Sequence, residues 1–167
     1  SMGRTDSQAV FWSDMLGYQY TIANLTAALA LAQVERVEEL IAKKRQIFAW
    51  YEVRLKNVPG IKILREKAPG YSNYCYPSIL LEESLPAERD AVLSELKQLN
   101  IHCRPGFPRM SRFPTLEERF PNPEAERAFR RGISLASAAN ITQDDVDFVC
   151  ESLINILKKK PAAAGVK

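Results

Sequence analysis

The sequence predicts an α+β fold: a long N-terminal helix packed with a small, mostly antiparallel sheet and further helices. Three observations carry this. After Asn24, apolar residues recur at mostly three- and four-residue steps for about thirty positions. Two short strand-like runs follow, "IKIL" at 61–64 and "NYCYPSILL" at 73–81. An amphipathic stretch, "PAERDAVLSELKQLN", then leads directly into a further short strand around "IHCRP", which makes a strand–helix–strand succession.

In chain order, Asn24 is the expected N-cap of the long helix. Leu25, Ala28, Leu29 and Ala32 form its first apolar stripe, and Val37, Leu40, Ile41, Phe48, Tyr51 and Leu55 continue it. Thirty helical residues span roughly 45 Å, long for 167 residues unless the helix bridges to something else. Pro59-Gly60 ends it. Pro77 marks the second strand-like run as an edge strand or a bent one. Ala91, Leu93, Leu96 and Leu99 give the next helix its apolar face. "RPGFPRMSRFPTLEERFPNP" carries five prolines in twenty residues and reads as a stiff, irregular connection. A short helix "EAERAFRRG" stops at Gly132, placed at C′. "ISLAS" is the last strand. The last helix starts from Thr142 as N-cap, with Asp145 at the third helical position and Asp144 also in its acidic first turn. Residues 1–16 read as a lead-in, 17–157 as the folded domain including the helix 24–55, and 158–167 as a disordered tail.

Composition narrows the function classes. A net charge of +3 is too mild to argue for nucleic acid, and no apolar run approaches a membrane span. The opening "SMGRTDSQ" is polar and shows no signal-peptide pattern. Cys75, Cys103 and Cys150 are far apart and odd in number, which argues for a reducing cytoplasm and against a zinc site or disulfide framework. The single histidine, His102, lies beside Cys103, but neighbouring strand residues point to opposite faces, so it reads as an ordinary exposed side chain. There is no phosphate loop and no dinucleotide fingerprint.

Two places stand out. Arginines run from Arg104 through Arg109, Arg112 and Arg119 to Arg127, Arg130 and Arg131. Glu117, Glu118, Glu124 and Glu126 dilute them, so those on the helix read as surface ion pairs and nucleic acid is not the expected partner. Arg104 and Arg109, in the proline-stiffened loop, are the candidates for a phosphate or carboxylate. The second place is "GYQYTIAN", 17–24, just before a helix N-terminus, which favours an anion. In an extended lead-in Gln19 and Thr21 share one face and Tyr18 and Tyr20 the other.

In order as well as type, these residues resemble the DegT/StrS-type sugar aminotransferases. The family pattern Gly-Tyr-Asn-Tyr-Arg-Met, then Gln-Ala-Ala and Ala-Gln-Leu-Glu, appears here as Gly17-Tyr18-Gln19-Tyr20-Thr21-Ile22, Thr26-Ala27-Ala28 and Ala32-Gln33-Val34-Glu35. "CRPGFPRMSRFP" is similar to the family's Arg-Pro-x-Phe loop, and "RGISLASAANITQDDVDFV" to its final strand and helix. The Met110-Ser111 pair leans toward the perosamine-synthase-like branch.

The resemblance covers about residues 10–157. It implies the C-terminal small domain of a fold-type I enzyme that uses pyridoxal phosphate to put an amino group on a nucleotide-linked keto-sugar. The family's Schiff-base lysine lies in a large domain whose motifs do not occur here. The chain alone is therefore expected to hold no catalytic residue and no cofactor, and to act as a homodimer with that domain. Gln19 and Thr21 would line the partner subunit's cofactor site. Arg104, Phe107 and Ser111 would lie near the sugar-nucleotide entrance. Gln19 and Thr21 stand where the family has Asn and Arg; Thr26, Ala30 and Ala136 replace its Gln, Gly and Pro. These replacements leave a second reading open, a non-catalytic binding or oligomerisation module derived from the family.

Overall fold

The pleat of four short strands decides which side chains form the core of this protein. A computed structural model describes residues 17, 18, 20–117 and 119–159. The chain divides into two compact units, Ser1–Glu38 and Glu39–Lys167. In chain order the elements are α1 (Asn24–Glu35), α2 (Val37–Leu55), β1 (Ile61–Ile63), β2 (Ser78–Leu81), α3 (Arg89–Gln98), β3 (Arg104–Pro105), a single 3-10 turn (Met110–Arg112), α4 (Pro123–Arg131), β4 (Gly132–Ser134) and α5 (Gln143–Lys158). The α+β expectation holds. The strands form one antiparallel sheet in the order β1-β2-β4-β3.

In the larger unit, registration places Ile61 opposite Leu81 and Ile79 opposite Ile133. Successive strand residues face opposite ways, so these four share one side, and Ser78, Leu80, Gly132 and Ser134 take the other. The first side meets Ile47, Tyr51 and Leu55 of α2, Val92 and Leu96 of α3, and Val146, Val149, Cys150 and Leu153 of α5, all buried in one cluster. Tyr51 is the largest fully buried side chain, and its hydroxyl donates to the Ala136 carbonyl at 2.7 Å. Burial pushes the Tyr51 phenol well above its ordinary range, so it stays a neutral donor. α5 starts with the expected capping box: the Asp145 N–H donates to Thr142 Oγ1 at 3.2 Å, and the Thr142 N–H donates to Asp145 Oδ2 at 2.9 Å.

Several expectations are corrected. Ala23, not Asn24, is the extended cap residue of α1, and it offers no side-chain cap. The helix expected over 24–55 is interrupted at Arg36, whose N–H donates to Gln33 O at 3.2 Å, three residues back instead of four. Pro77 lies just before β2, which is an interior strand with neighbours on both sides; the proline thus removes no ladder donor, and its carbonyl accepts the Leu135 N–H at 2.8 Å. On α3, Val92 takes a buried place while Ala91 and Leu99 are exposed. Gly132 has φ −80°, not the left-handed conformation of a C′ glycine, so its need is space and not backbone freedom. Arg131 is no surface ion pair. Its guanidinium donates to the carbonyls of Leu81 (3.0 Å), Ala87 (3.2 Å) and Leu85 (3.1 Å), and to that of Glu82, and so ties the β2–α3 loop to α4. The expected lead-in 1–16 and all but the first two residues of the expected tail lie outside the described residues.

Candidate functional site

The side of the sheet away from the core carries a cavity of about 560 Å³. Ser78 and Leu80 of β2 and Gly132–Ser134 of β4 make its floor, Ala125 and Ala128 of α4 one wall, and the loop Gly106–Ser111 the other. Two glycines let α4 and this loop close on the strand. A Cβ on Gly132 would sit 2.3 Å from the Ala128 carbonyl oxygen, and one on Gly106 would sit 2.6 Å from the same atom. With both absent, the Gly106 N–H donates to Gly132 O at 2.8 Å.

The lining is chiefly apolar, with a few oriented hydroxyls. Ser78 Oγ donates to the Tyr76 carbonyl at 2.9 Å and lies 3.2 Å from Ser134 Oγ. Ser111 Oγ is buried and has no hydrogen-bond partner among the described residues. At the mouth, the Phe107 ring stands edge-on to Tyr76 at 6.4 Å and is 78% exposed. Beside the loop, three guanidinium groups converge on one carboxylate: Arg109, Arg112 and Arg130 reach Glu126 at 3.0, 2.6 and 2.7 Å. Hydrogen bonds from Arg130 and then Arg112 hold the Glu126 carboxyl below its ordinary range.

The structure brings together Phe107 and Ser111, both in the cavity lining. Arg104 is exposed on β3, registered opposite Ser134, and does not line the cavity. Arg109 does line it, already bridged to Glu126. Thr21 lies exposed in the lead-in of the smaller unit, and Gln19 lies outside the described residues. His102 is exposed, as expected. Tyr76, Ser78 and Ser134 were missed as lining residues. The period-2 pattern around Pro77 signals the first two, whereas Ser134 is placed only by its registration with Ser78. The cavity can seat an apolar body and offer it the Ser111 hydroxyl. Among the described residues no cluster of three or more His, Cys, Asp or Glu could hold a metal.

Comparison with known proteins matches residues 1–154 to the DegT/DnrJ/EryC1/StrS aminotransferase family. The GDP-perosamine synthase of Vibrio cholerae is 30% identical over 148 residues, which is 87% of this chain and 40% of that protein. That of Caulobacter vibrioides is 30% identical over 156 residues, 91% of this chain and 42% of the relative. The chain thus spans about 40% of the length of the relatives it matches. Among solved structures, PseC of Helicobacter pylori, an aminotransferase of pseudoaminic acid biosynthesis, superposes with a TM-score of 0.78 at 19% identity, over 90% of this chain and 42% of that one. DesI, solved with its TDP-sugar product, superposes with a TM-score of 0.72 at 26% identity, over 80% and 35%. The residue pattern, the fold and these matches agree: the chain belongs to the DegT/DnrJ/EryC1/StrS aminotransferase family.

Proposed function

We propose that residues 17–157 are the C-terminal small domain of a pyridoxal-phosphate aminotransferase acting on a nucleotide-linked keto-sugar, in the perosamine-synthase-like branch. The observation that carries this reading is the family match over 1–154 in a chain spanning about 40% of its relatives' length. The described residues around the cavity do not fit the cofactor by themselves, since no lysine and no carboxylate is among those that line it. Schiff-base chemistry therefore belongs to the large domain of the longer protein, and this chain supplies one wall of the site. In that arrangement Phe107 and Ser111 contact the nucleotide-sugar at its entrance, with Arg104 on the adjoining strand. Gln19 and Thr21 line the cofactor site of the second subunit of a homodimer. Three free thiols, one exposed, fit a reducing cytoplasm.

The test uses the 167-residue chain with pyridoxal phosphate. No internal-aldimine absorbance is expected, and borohydride reduction should label no single lysine; a stable adduct on one particular lysine overturns the reading. Upstream of residue 1, the gene should encode a strand-ending Ser/His-x-x-Lys context with an Asp before it. Without them, the non-catalytic module favoured by Gln19, Thr21 and Thr26 takes its place.

A further inference from the structure

The turn that walls the cavity is held from α4. Met110–Arg112 is a single 3-10 turn, closed by the Arg112 N–H on Arg109 O and the Phe113 N–H on Met110 O, both at 3.0 Å. Side chains three residues apart in such a turn leave on the same side, which sends Arg109 and Arg112 toward a common partner. That partner is Glu126. Arg109 Nε lies 3.0 Å from its Oε2, and Arg112 donates to Oε1 at 2.6 Å and to Oε2 at 3.3 Å. Met110 and Ser111, between the two arginines, both line the cavity.

The surroundings of Glu126 suit it to this task. Arg130, one turn along α4, donates through Nε to Oε1 at 2.7 Å and so orients the carboxylate toward the turn. The side chains of Arg109 and Glu126 are only 15% and 18% exposed, so solvent screens this pair little. On the same helix, Arg127 with Glu124 is 45% and 82% exposed, an ion pair of small consequence. A side chain that faces a ligand cannot hold its own loop in place at the same time, so a wall of fixed shape needs a support behind it. The segment has one such support at its start, the Gly106 N–H on Gly132 O, and Glu126 supplies one at its end.

We propose that Glu126 is a positioning residue: by gripping Arg109 and Arg112 at the two ends of the turn, it holds Met110 and Ser111 in the cavity wall and so governs how tightly the cavity takes its ligand. That the ligand is a nucleotide-sugar rests on the function proposed above; the grip on the turn does not. Limited trypsin digestion of the 167-residue chain, read by mass spectrometry, tests the grip. Glu126→Gln should speed cutting after Arg109 and Arg112 about tenfold and leave the rate after Lys97, in α3, within about twofold. Glu124→Gln should leave all three rates within about twofold. Unchanged cutting after Arg109 and Arg112, or an equal rise after Lys97, overturns the proposal. In the full-length protein, Glu126→Gln should raise KM for a GDP-linked keto-sugar about tenfold, with kcat within about twofold. Adding Ser111→Ala to it should raise KM no further than either change alone, because both act through one turn. Effects that multiply to about a hundredfold, or a loss confined to kcat, overturn the proposal as well. A full-length protein without aminotransferase activity overturns that reading instead, and the trypsin rates still decide the grip.

Discussion

Arg131 ties four carbonyls, one at the end of β2 and three in the β2–α3 loop, to the end of α4, a task that needs a planar fork of donors. Arg131→Ala should lower the unfolding free energy by about 2–3 kcal/mol in urea titrations, and Arg131→Lys should restore less than half of it, because an ammonium cannot span the loop. Ser111 presents the opposite case, a buried hydroxyl with no partner among the described residues. Removing such a group does not destabilise, so Ser111→Ala should leave stability unchanged to within about 0.5 kcal/mol. If the hydroxyl serves the nucleotide-sugar, the same change in the full-length protein should raise KM about tenfold. Glu66 is set by its neighbours: Arg45 donates to it at 2.7 and 3.0 Å and the Ser72 N–H at 2.7 Å, which lowers its carboxyl to about 2. A carboxyl depressed in the folded state stabilises fully above its unfolded value, near 4.5, and loses that contribution as pH falls toward 2. Acid titration should therefore weaken the native protein between those limits, and Glu66→Gln should flatten that part of the profile.

Among the elements, α5 combines the best local signals with the largest share of the core. Its capping box satisfies N–H groups at the first turn, and Thr142→Ala should cost about 1 kcal/mol in chemical denaturation. α4 has no side-chain N-cap; it is held by Arg131 and by its closeness to β4 at Gly132 and to the 106–111 loop at Gly106. Gly132→Ala would drive a Cβ to 2.3 Å from the Ala128 carbonyl oxygen, an atom of the backbone that has little room to move. A loss of about 1–3 kcal/mol is expected by thermal melting, together with distortion of the cavity that α4 walls. The 65–76 loop, by contrast, is fastened to α2 by side chains alone, with Phe48 stacked on Tyr74 at 3.6 Å and Arg45 paired to Glu66.

At the scale of the molecule, the packed core and the cavity occupy opposite sides of one small sheet. The Ile79/Ile133 side joins α2, α3 and α5 in a single cluster, so truncating Leu153 to Ala should lower the unfolding free energy by about 3 kcal/mol, read in urea. The other side carries the cavity with Phe107 and Ser111, and an edge where three arginines bridge to Glu126.

From the residues alone come the class of fold, the family, the helices α2, α3, α4 and α5 in outline, the Thr142 cap and three residues that line the cavity, Phe107, Arg109 and Ser111. Periodicity, capping chemistry and motif order are local properties that neighbouring residues fix among themselves. Tertiary structure decided the rest. Pro77 pointed to an edge or a bend, yet β2 is interior, because a strand's neighbours come from distant segments and β4 lies some fifty residues on. Arg131 looked like one more surface arginine, since nothing near it in sequence reveals four carbonyls 44 to 50 residues away. The glycine stop of α4 was foreseen, but its reason, the approach of Ala128, depends on how a helix settles on a sheet.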